Sequence, residues 1–444
     1  MATETITNVS LDDLSEGRRL KALAALVLLW SITAMLHWAA WGQLMVWVAT
    51  ILTAIYIVRV ATANSDYALS PNKDVLPTTF SEEVWPRVSL LVAAKNEAAV
   101  INSLVTSLCH LDYPEDRYEL WVINDNSDDG TGRILDHLAQ EHSRLKVLHR
   151  GQEATGGKSG ALNLAWPRAT GEIFAVFDAD AQVPNDLLRH VVPLFTNERT
   201  GAIQVRKSIV NGKTNFWTRG QSAEMALDRY YQEQRAACCG IGELRGNGQF
   251  VRQAAIAQCG GWNEMTITDD LDLTVQLHLH HWNIGFLSMP AVAEEGVTRG
   301  LALWHQRNRW AEGGYQRYLD YWRLLLRNQL GWNKSIDMLV YWVLQYMLPI
   351  VALPDFLMAI ALRQPPVFAP LTTFAVAMSY WGMTMGIYRT QKISLLLAMV
   401  KAVQGTVYMT HWIVVMAFAT ARMAVRPKRL KWVKTIHGGE AASA

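Results

Sequence analysis

The sequence predicts an α/β domain built on a parallel sheet, carried between membrane-spanning helices at both ends of the chain. Two observations point to it. Apolar residues gather in long runs at the two ends, and the middle alternates short β-rich runs with helical stretches and polar turns. Composition agrees: of 444 residues, half are hydrophobic and 18% are charged, below the roughly 25% of an ordinary soluble domain. Trp, at 18, outnumbers Tyr at 14 and Phe at 11, and indole rings collect at bilayer interfaces. Lys and Arg total 41 against 39 Asp and Glu. That balance argues against nucleic acid as a partner, which calls for a basic excess.

Residues 20–40 and 44–60 are apolar runs joined by a turn at Trp41, Gly42 and Gln43. Each approaches the ~20 residues that span a ~30 Å hydrocarbon core. A mixed-charge tail precedes the first and a second run follows at once, so a signal peptide fits poorly. Arg18, Arg19 and Lys21 precede the pair, Arg59 closes it, and the turn carries no Lys or Arg. Positive-inside logic then places everything after residue 60 in the cytoplasm, as part of a multi-pass integral membrane protein surrounded by lipid. The four cysteines, Cys109, Cys238, Cys239 and Cys259, form no CxxC pair and read as buried thiols in a reducing compartment.

Further apolar stretches occupy residues 338–362, 367–388 and 394–423. Three crossings would leave the tail outside, yet Arg422, Arg426, Lys428, Arg429, Lys431 and Lys434 make it basic. The expectation is two crossings plus one interfacial segment, residues 394–404, with a cytoplasmic tail. The organisation expected is a tail over 1–19, two spanning helices over 20–62, a catalytic domain over 81–300, an interfacial segment over 301–336, a membrane block over 337–423 and a basic tail over 424–444.

Within the domain, strands are expected at 87–93, 118–123, 145–148, 172–177 and 203–206, and helices at 97–108, 131–141 and 158–166. Ligands of such sheets bind beyond the carboxyl ends of the strands, and there the polar clusters fall. Lys95-Asn96-Glu97 follows the first strand and Asn124-Asp125-Asn126-Ser127-Asp128-Asp129 the second. Such side chains can read a base and ribose, although Asn, Asp and Ser favour turns in any case. The fourth strand ends in Asp178-Ala179-Asp180, whose carboxylates at i and i+2 point the same way and suit Mg2+ or Mn2+ bridged to phosphate.

Thr268-Asp269-Asp270-Leu271-Asp272 is a second acidic cluster. Helix capping accounts for one acid; another can act as a general base. Gln306-Arg307-Asn308-Arg309-Trp310 follows, where an Arg beside a large aromatic can clamp a diphosphate and a sugar, or anchor at an interface. Three features are set aside. Residues 151–159 miss a phosphate loop because Gln152 stands where Gly is required. Gly240, Gly242 and Gly246 miss dinucleotide spacing, and His278, His280 and His281 lack zinc-ligand spacing.

In order, Lys95-Asn96-Glu97, Asp125, Lys158 within GKSGALN, Asp178-Ala179-Asp180, Thr268-Asp269-Asp270 and Gln306-x-x-Arg309-Trp310 resemble a membrane-integrated family 2 glycosyltransferase with a GT-A, Rossmann-like fold. The resemblance covers residues 85–315. Asn124 stands where many members have Asp, and Asp269 where many have Glu. The resemblance implies that Asn96, Glu97, Asp125 and Lys158 bind the nucleotide. It implies Asp178 and Asp180 as holders of the metal-bound diphosphate, Asp270 as general base, and Gln306, Arg309 and Trp310 at the diphosphate and acceptor site.

The stretches SAEMALDRYYQEQR, GELRGNGQFVR, WHQRNRWAEGGYQRYLDYW and RPKRLKWVKTIHGG look like those of cyanobacterial lipid glucosyltransferases. That likeness implies glucose transfer from UDP-glucose to 1,2-diacylglycerol, giving β-monoglucosyldiacylglycerol with inversion. A processive synthase exporting a polymer such as cellulose, hyaluronan or poly-N-acetylglucosamine is the alternative, and an inactive nucleotide-sugar-binding scaffold a further one. The aromatic stretch from Trp304 to Trp322 is expected to mark where a lipid acceptor leaves the bilayer.

Overall fold

A computed structural model describes residues 17–63 and 85–426. Most of each expected tail, and the expected start of the catalytic domain at residue 81, lie outside the described residues. Helices α1 (Arg18–Trp38) and α2 (Gly42–Ala61) come first. The domain follows as β1 (Val88–Ala94), α3 (Ile101–Cys109), β2 (Tyr118–Asp125), α4 (Thr131–Glu141), β3 (Leu145–Arg150), α5 (Gly157–Ala165) and β4 (Ile173–Phe177). It continues through α6 (Leu187–Val191), β5 (Thr200–Ile209), α7 (Phe216–Ala237), β6 (Gln249–Arg252), α8 (Gln253–Cys259), α9 (Asp269–Leu279) and β7 (Asn283–Glu294). Four long helices end the described chain: α10 (Gly300–Leu326), α11 (Trp332–Leu362), α12 (Ala369–Gln391) and α13 (Leu395–Val425).

Among the described residues the sheet has seven strands in the order β3-β2-β1-β4-β6-β5-β7. Every residue of β1 and β4 is buried, which is why both read as unbroken apolar runs: a strand covered on both faces has no water-facing side to alternate with. Leu104, Leu108, Leu135, Leu188 and Val191 pack one face; Leu162, Ile256, Leu273 and Leu277 pack the other. The sheet is not purely parallel as expected. β6 runs antiparallel to both β4 and β5. Because the chain order turns between β1 and β4, the carboxyl ends of β1, β2 and β4 open onto one crevice, where a ligand site belongs.

Among the described residues, four helices are long and apolar enough to cross a membrane: α1, α2, α11 and α13. Residues 394–404, expected at the interface, cap and begin α13, with the Ser394 hydroxyl accepting the Leu397 amide at 3.3 Å. The first half of α13 packs on α7 and its second half on α1, α10 and α11. Tyr408 and Trp412 donate to Glu224 of α7 at 3.1 and 2.9 Å, and Arg422 pairs with Glu312 of α10. Helix α12 lies against α7 so closely that a Cβ on Gly386 would strike the Ala226 carbonyl. Of the cysteines expected to be buried thiols, Cys109 and Cys259 are buried, Cys238 is half-buried and Cys239 is exposed.

Candidate active site

The end of β4 and the loop before β6 build the centre of the site. The Asp178 amide donates to Asn247 Oδ1 at 3.3 Å, and Gly248 donates to the Val176 carbonyl at 3.0 Å. Gly246 and Gly248 have φ of 79° and 72°, a region that side chains with a Cβ rarely enter. The backbone angle, not crowding, is what calls for glycine at 246, since its neighbours leave room for ordinary contact. A Cβ on Gly246 would lie 3.5 Å from Asp270 Oδ2 and 4.0 Å from Lys158 Nζ. The short GNG loop therefore lets three distant segments meet: β4, the first turn of α5 and the first turn of α9.

Lys158 Nζ donates to Asp178 Oδ1 at 2.6 Å. Its depth works against the charged form, but the carboxylates of Asp178, Asp269 and Asp270 outweigh that and raise its pKa. For Asp178, burial pushes upward and the Lys158 ammonium, with Lys207 and Arg309, pulls further down, so its carboxyl stays below the usual range. The Asp178 side chain still opens onto the crevice, 40% exposed. Asp270 behaves oppositely. Its depth and the neighbouring Asp269 push it up to about 6, with Lys158 opposing. Asp269 is raised too, by burial and then by Asp178. Two adjacent acids on one helix terminus share one ammonium, and this separates their protonation from that of Asp178.

A cavity of about 710 Å³ joins these groups. Glu97, Lys158, Asp178, Asp180, Asp269, Asp270, Gln306, Arg309 and Trp310 line one part of it. Ile57 and Val60 of α2, Leu344, Leu348 and Ala352 of α11, Ala375, Val376 and Met383 of α12, and Met409, Ile413 and Met416 of α13 line the rest. The acids and an apolar chamber among the membrane helices thus share one space.

Two of the expected nucleotide-binding residues stand beside the cavity rather than in its wall. Asn96, at φ 59°, joins two loops: its amide donates to Ser127 Oγ at 2.9 Å and its Oδ1 accepts the Asp128 amide at 2.9 Å. Asp125, buried at the end of β2, pairs with Arg150 Nη1 at 2.6 Å. Arg150 in turn donates to the Gly157 carbonyl at 2.9 Å, tying β2 and β3 to the turn that presents Lys158. Sequence reading missed Arg150, which only the parallel pairing of β2 with β3 sets opposite Asp125.

Arg307 was also missed. It is buried, and its Nη2 donates to Glu224 Oε2 at 2.6 Å and to the Tyr408 hydroxyl at 3.2 Å. Its guanidinium stacks 4.0 Å from the Trp310 ring centroid. The i, i+3 spacing from Arg307 to Trp310 is the signal that could have found it. The aromatic stretch from Trp304 to Trp322 is corrected in part. Trp310 lines the cavity, while Tyr315, Tyr318 and Tyr321 are packed in the core that α10 forms with the membrane helices. Tertiary packing, not the lipid surface, uses those rings.

Among the described residues no three His, Cys, Asp or Glu side chains form a metal-binding group. His278, expected to be an ordinary histidine, is buried and bonds the Gly242 carbonyl at 2.9 Å. Asp178 and Asp180 are instead a pair. A pair fits a cation such as Mg2+, which takes one or two carboxylates and completes its shell with substrate phosphates and water.

Residues 86–313 match the glycosyltransferase-like family 2, and the chain belongs to that family. Among its relatives, a β-monoglucosyldiacylglycerol synthase of Synechocystis sp. is 52% identical over 439 residues, covering 97% of this chain and 90% of that one. Another of the same name from Trichormus variabilis is 53% identical over 441 residues, covering 97% and 92%. Among solved structures, a mannosyltransferase from Pyrobaculum calidifontis, in complex with GDP-Man and Mn2+, is 20% identical. It covers 89% of this chain and 98% of its own, with a TM-score of 0.49.

Proposed function

We propose that the chain transfers glucose from UDP-glucose to the free hydroxyl of 1,2-diacylglycerol, inverting the anomeric carbon to give β-monoglucosyldiacylglycerol. One observation carries this reading: the cavity that holds Asp270 continues into a chamber walled by Leu344, Leu348, Ala375 and Val376. Acyl chains favour such a wall, whereas a polymer conduit for hydrated sugar would call for polar lining. The names of the relatives above point the same way.

In this reading Asp270 takes the proton of the acceptor hydroxyl as that oxygen attacks the anomeric carbon. Lys158 favours the ionised form of the neighbouring carboxylates. Arg309 offsets negative charge on the departing diphosphate, and Trp310, steadied by Arg307, offers the sugar a flat face. Asp178 and Asp180 would hold Mg2+ or Mn2+, which when bound neutralises diphosphate charge. Asn96, Glu97 and Asp125 frame the uridine end. Lys and Arg flanking α1, α2 and α13 support a cytoplasmic catalytic domain.

The test is direct. Purified protein with UDP-glucose, Mg2+ and diacylglycerol is expected to yield one monoglucosyl lipid by chromatography; a long polymer in its place would establish the processive alternative.

A further inference from the structure

Several charged side chains that the chemistry above does not use line the same cavity, among them Lys207, Asp228, Arg235, Asp337 and Arg245. Arg245 precedes Gly246, the glycine packed against Asp270, and lines the same cavity with Asp228 and Tyr341. Three hydrogen bonds leave its guanidinium, all from Nη2: to Asp228 Oδ1 at 2.8 Å, Glu243 Oε2 at 3.0 Å and the Tyr341 hydroxyl at 3.0 Å. The Nε edge is occluded. Nη1 donates to none of the described residues, and the side chain is 21% exposed. Three acceptors thus share the two hydrogens of one nitrogen and fix the plane of the guanidinium, leaving the Nη1 donors uncommitted among the described residues.

Charge decides what this donor suits. Glu243, fully buried, also takes Arg235 at 3.1 Å and Arg317 at 2.5 Å, while Asp228 and Asp337 add two further carboxylates. Three guanidinium groups face three carboxylates. A phosphate arriving here would bring an anion to a cluster already neutral, with Glu243 and Asp228 beside it. A neutral carbonyl oxygen meets only the donor.

We infer that Arg245 is an acceptor-selecting residue: its Nη1 donates to an ester carbonyl of the diacylglycerol whose free hydroxyl stands at Asp270. This rests on the diacylglycerol reading above. Glycerol places an ester one carbon from the free hydroxyl, so a donor on the residue next to Gly246, which itself lies beside Asp270, in a cavity that also has apolar walls, suits the lipid's own order of groups.

The test compares dioleoylglycerol with its ether-linked counterpart, which has the same hydroxyl and chain length but no carbonyl. Both are assayed with the full-length protein, UDP-glucose and Mg2+ in detergent micelles. Loss of one charge-assisted hydrogen bond is expected to raise the apparent KM for the ether lipid about tenfold or more. Arg245→Met is expected to erase the difference by raising the KM for the ester lipid alone. Wild-type KM values for the two lipids within about twofold would overturn the assignment, as would an Arg245→Met variant that keeps the preference. The wild-type comparison decides even where the variant does not fold. Transfer to neither lipid defeats the diacylglycerol reading itself, and this assignment with it.

Discussion

Lys158 Nζ stands 2.6 Å from Asp178 Oδ1, so the cation that opens α5 is the counter-ion of the carboxylate that ends β4. The same ammonium acts on Asp269 and Asp270, which makes it the electrostatic hub of the site. Lys158→Ala is expected to raise the Asp270 pKa further above about 6 and to shift the acid limb of kcat/KM to higher pH. A pH–rate profile of the variant checks this; an unmoved limb would show that Lys158 does not govern the base.

Asp270 must be ionised to accept a proton. With its carboxyl pushed up to about 6 by its depth and by Asp269, the protonated, inactive form prevails below that pH. Activity is therefore expected to rise with pH through about 6 and level off above. Asp269→Asn removes the like charge and is expected to move the limb downward. Asp270→Asn is expected to bind UDP-glucose normally while transfer falls by about 10²–10⁴-fold, read by calorimetry beside single-turnover kinetics.

Chelation separates the metal from the protein groups. Treatment with EDTA is expected to abolish transfer, and added Mg2+ or Mn2+ to restore it. Asp180→Asn is expected to demand more cation for half-maximal rate, because one of only two acids in the pair is lost. A variant with an unchanged cation requirement would remove Asp180 from the metal site.

Arg307 and Glu224 form a pair with side chains 1% and 12% exposed. Removing one partner of such a pair costs about 3–5 kcal/mol, since the other charge stays behind without compensation. Arg307→Ala is thus expected to unfold at a clearly lower temperature in detergent. Arg307→Met combined with Glu224→Gln is expected to recover much of that loss. If Trp310 relies on this guanidinium, the double variant stays slow although stable, a split that thermal unfolding and kcat together reveal.

Much of this was legible in the chain. β1, β2 and β4 were found because strands covered on both faces are apolar throughout, and the acids after them because a strand end is where such a sheet presents polar groups. β6 was missed: four residues, Gln249–Arg252, set among glycines and polar at both ends, carry too short a pattern to read. β7 was missed because Pro290 interrupts its apolar run. β6 is also the strand that turns an expected parallel sheet into a mixed one.

By itself the sequence determined the apolar helices at the two ends, the α/β core and the order of the acidic clusters, since hydrophobic period and turn chemistry are local properties of neighbouring residues. Tertiary structure alone decided the charges that matter around them. Arg307 finds Glu224 83 residues away, and Lys158 finds Asp178 20 residues away. Asp125 finds Arg150 across the β2–β3 pairing. An ion pair leaves no periodic trace in the chain, because which charges meet depends on how elements pack and not on their spacing along it.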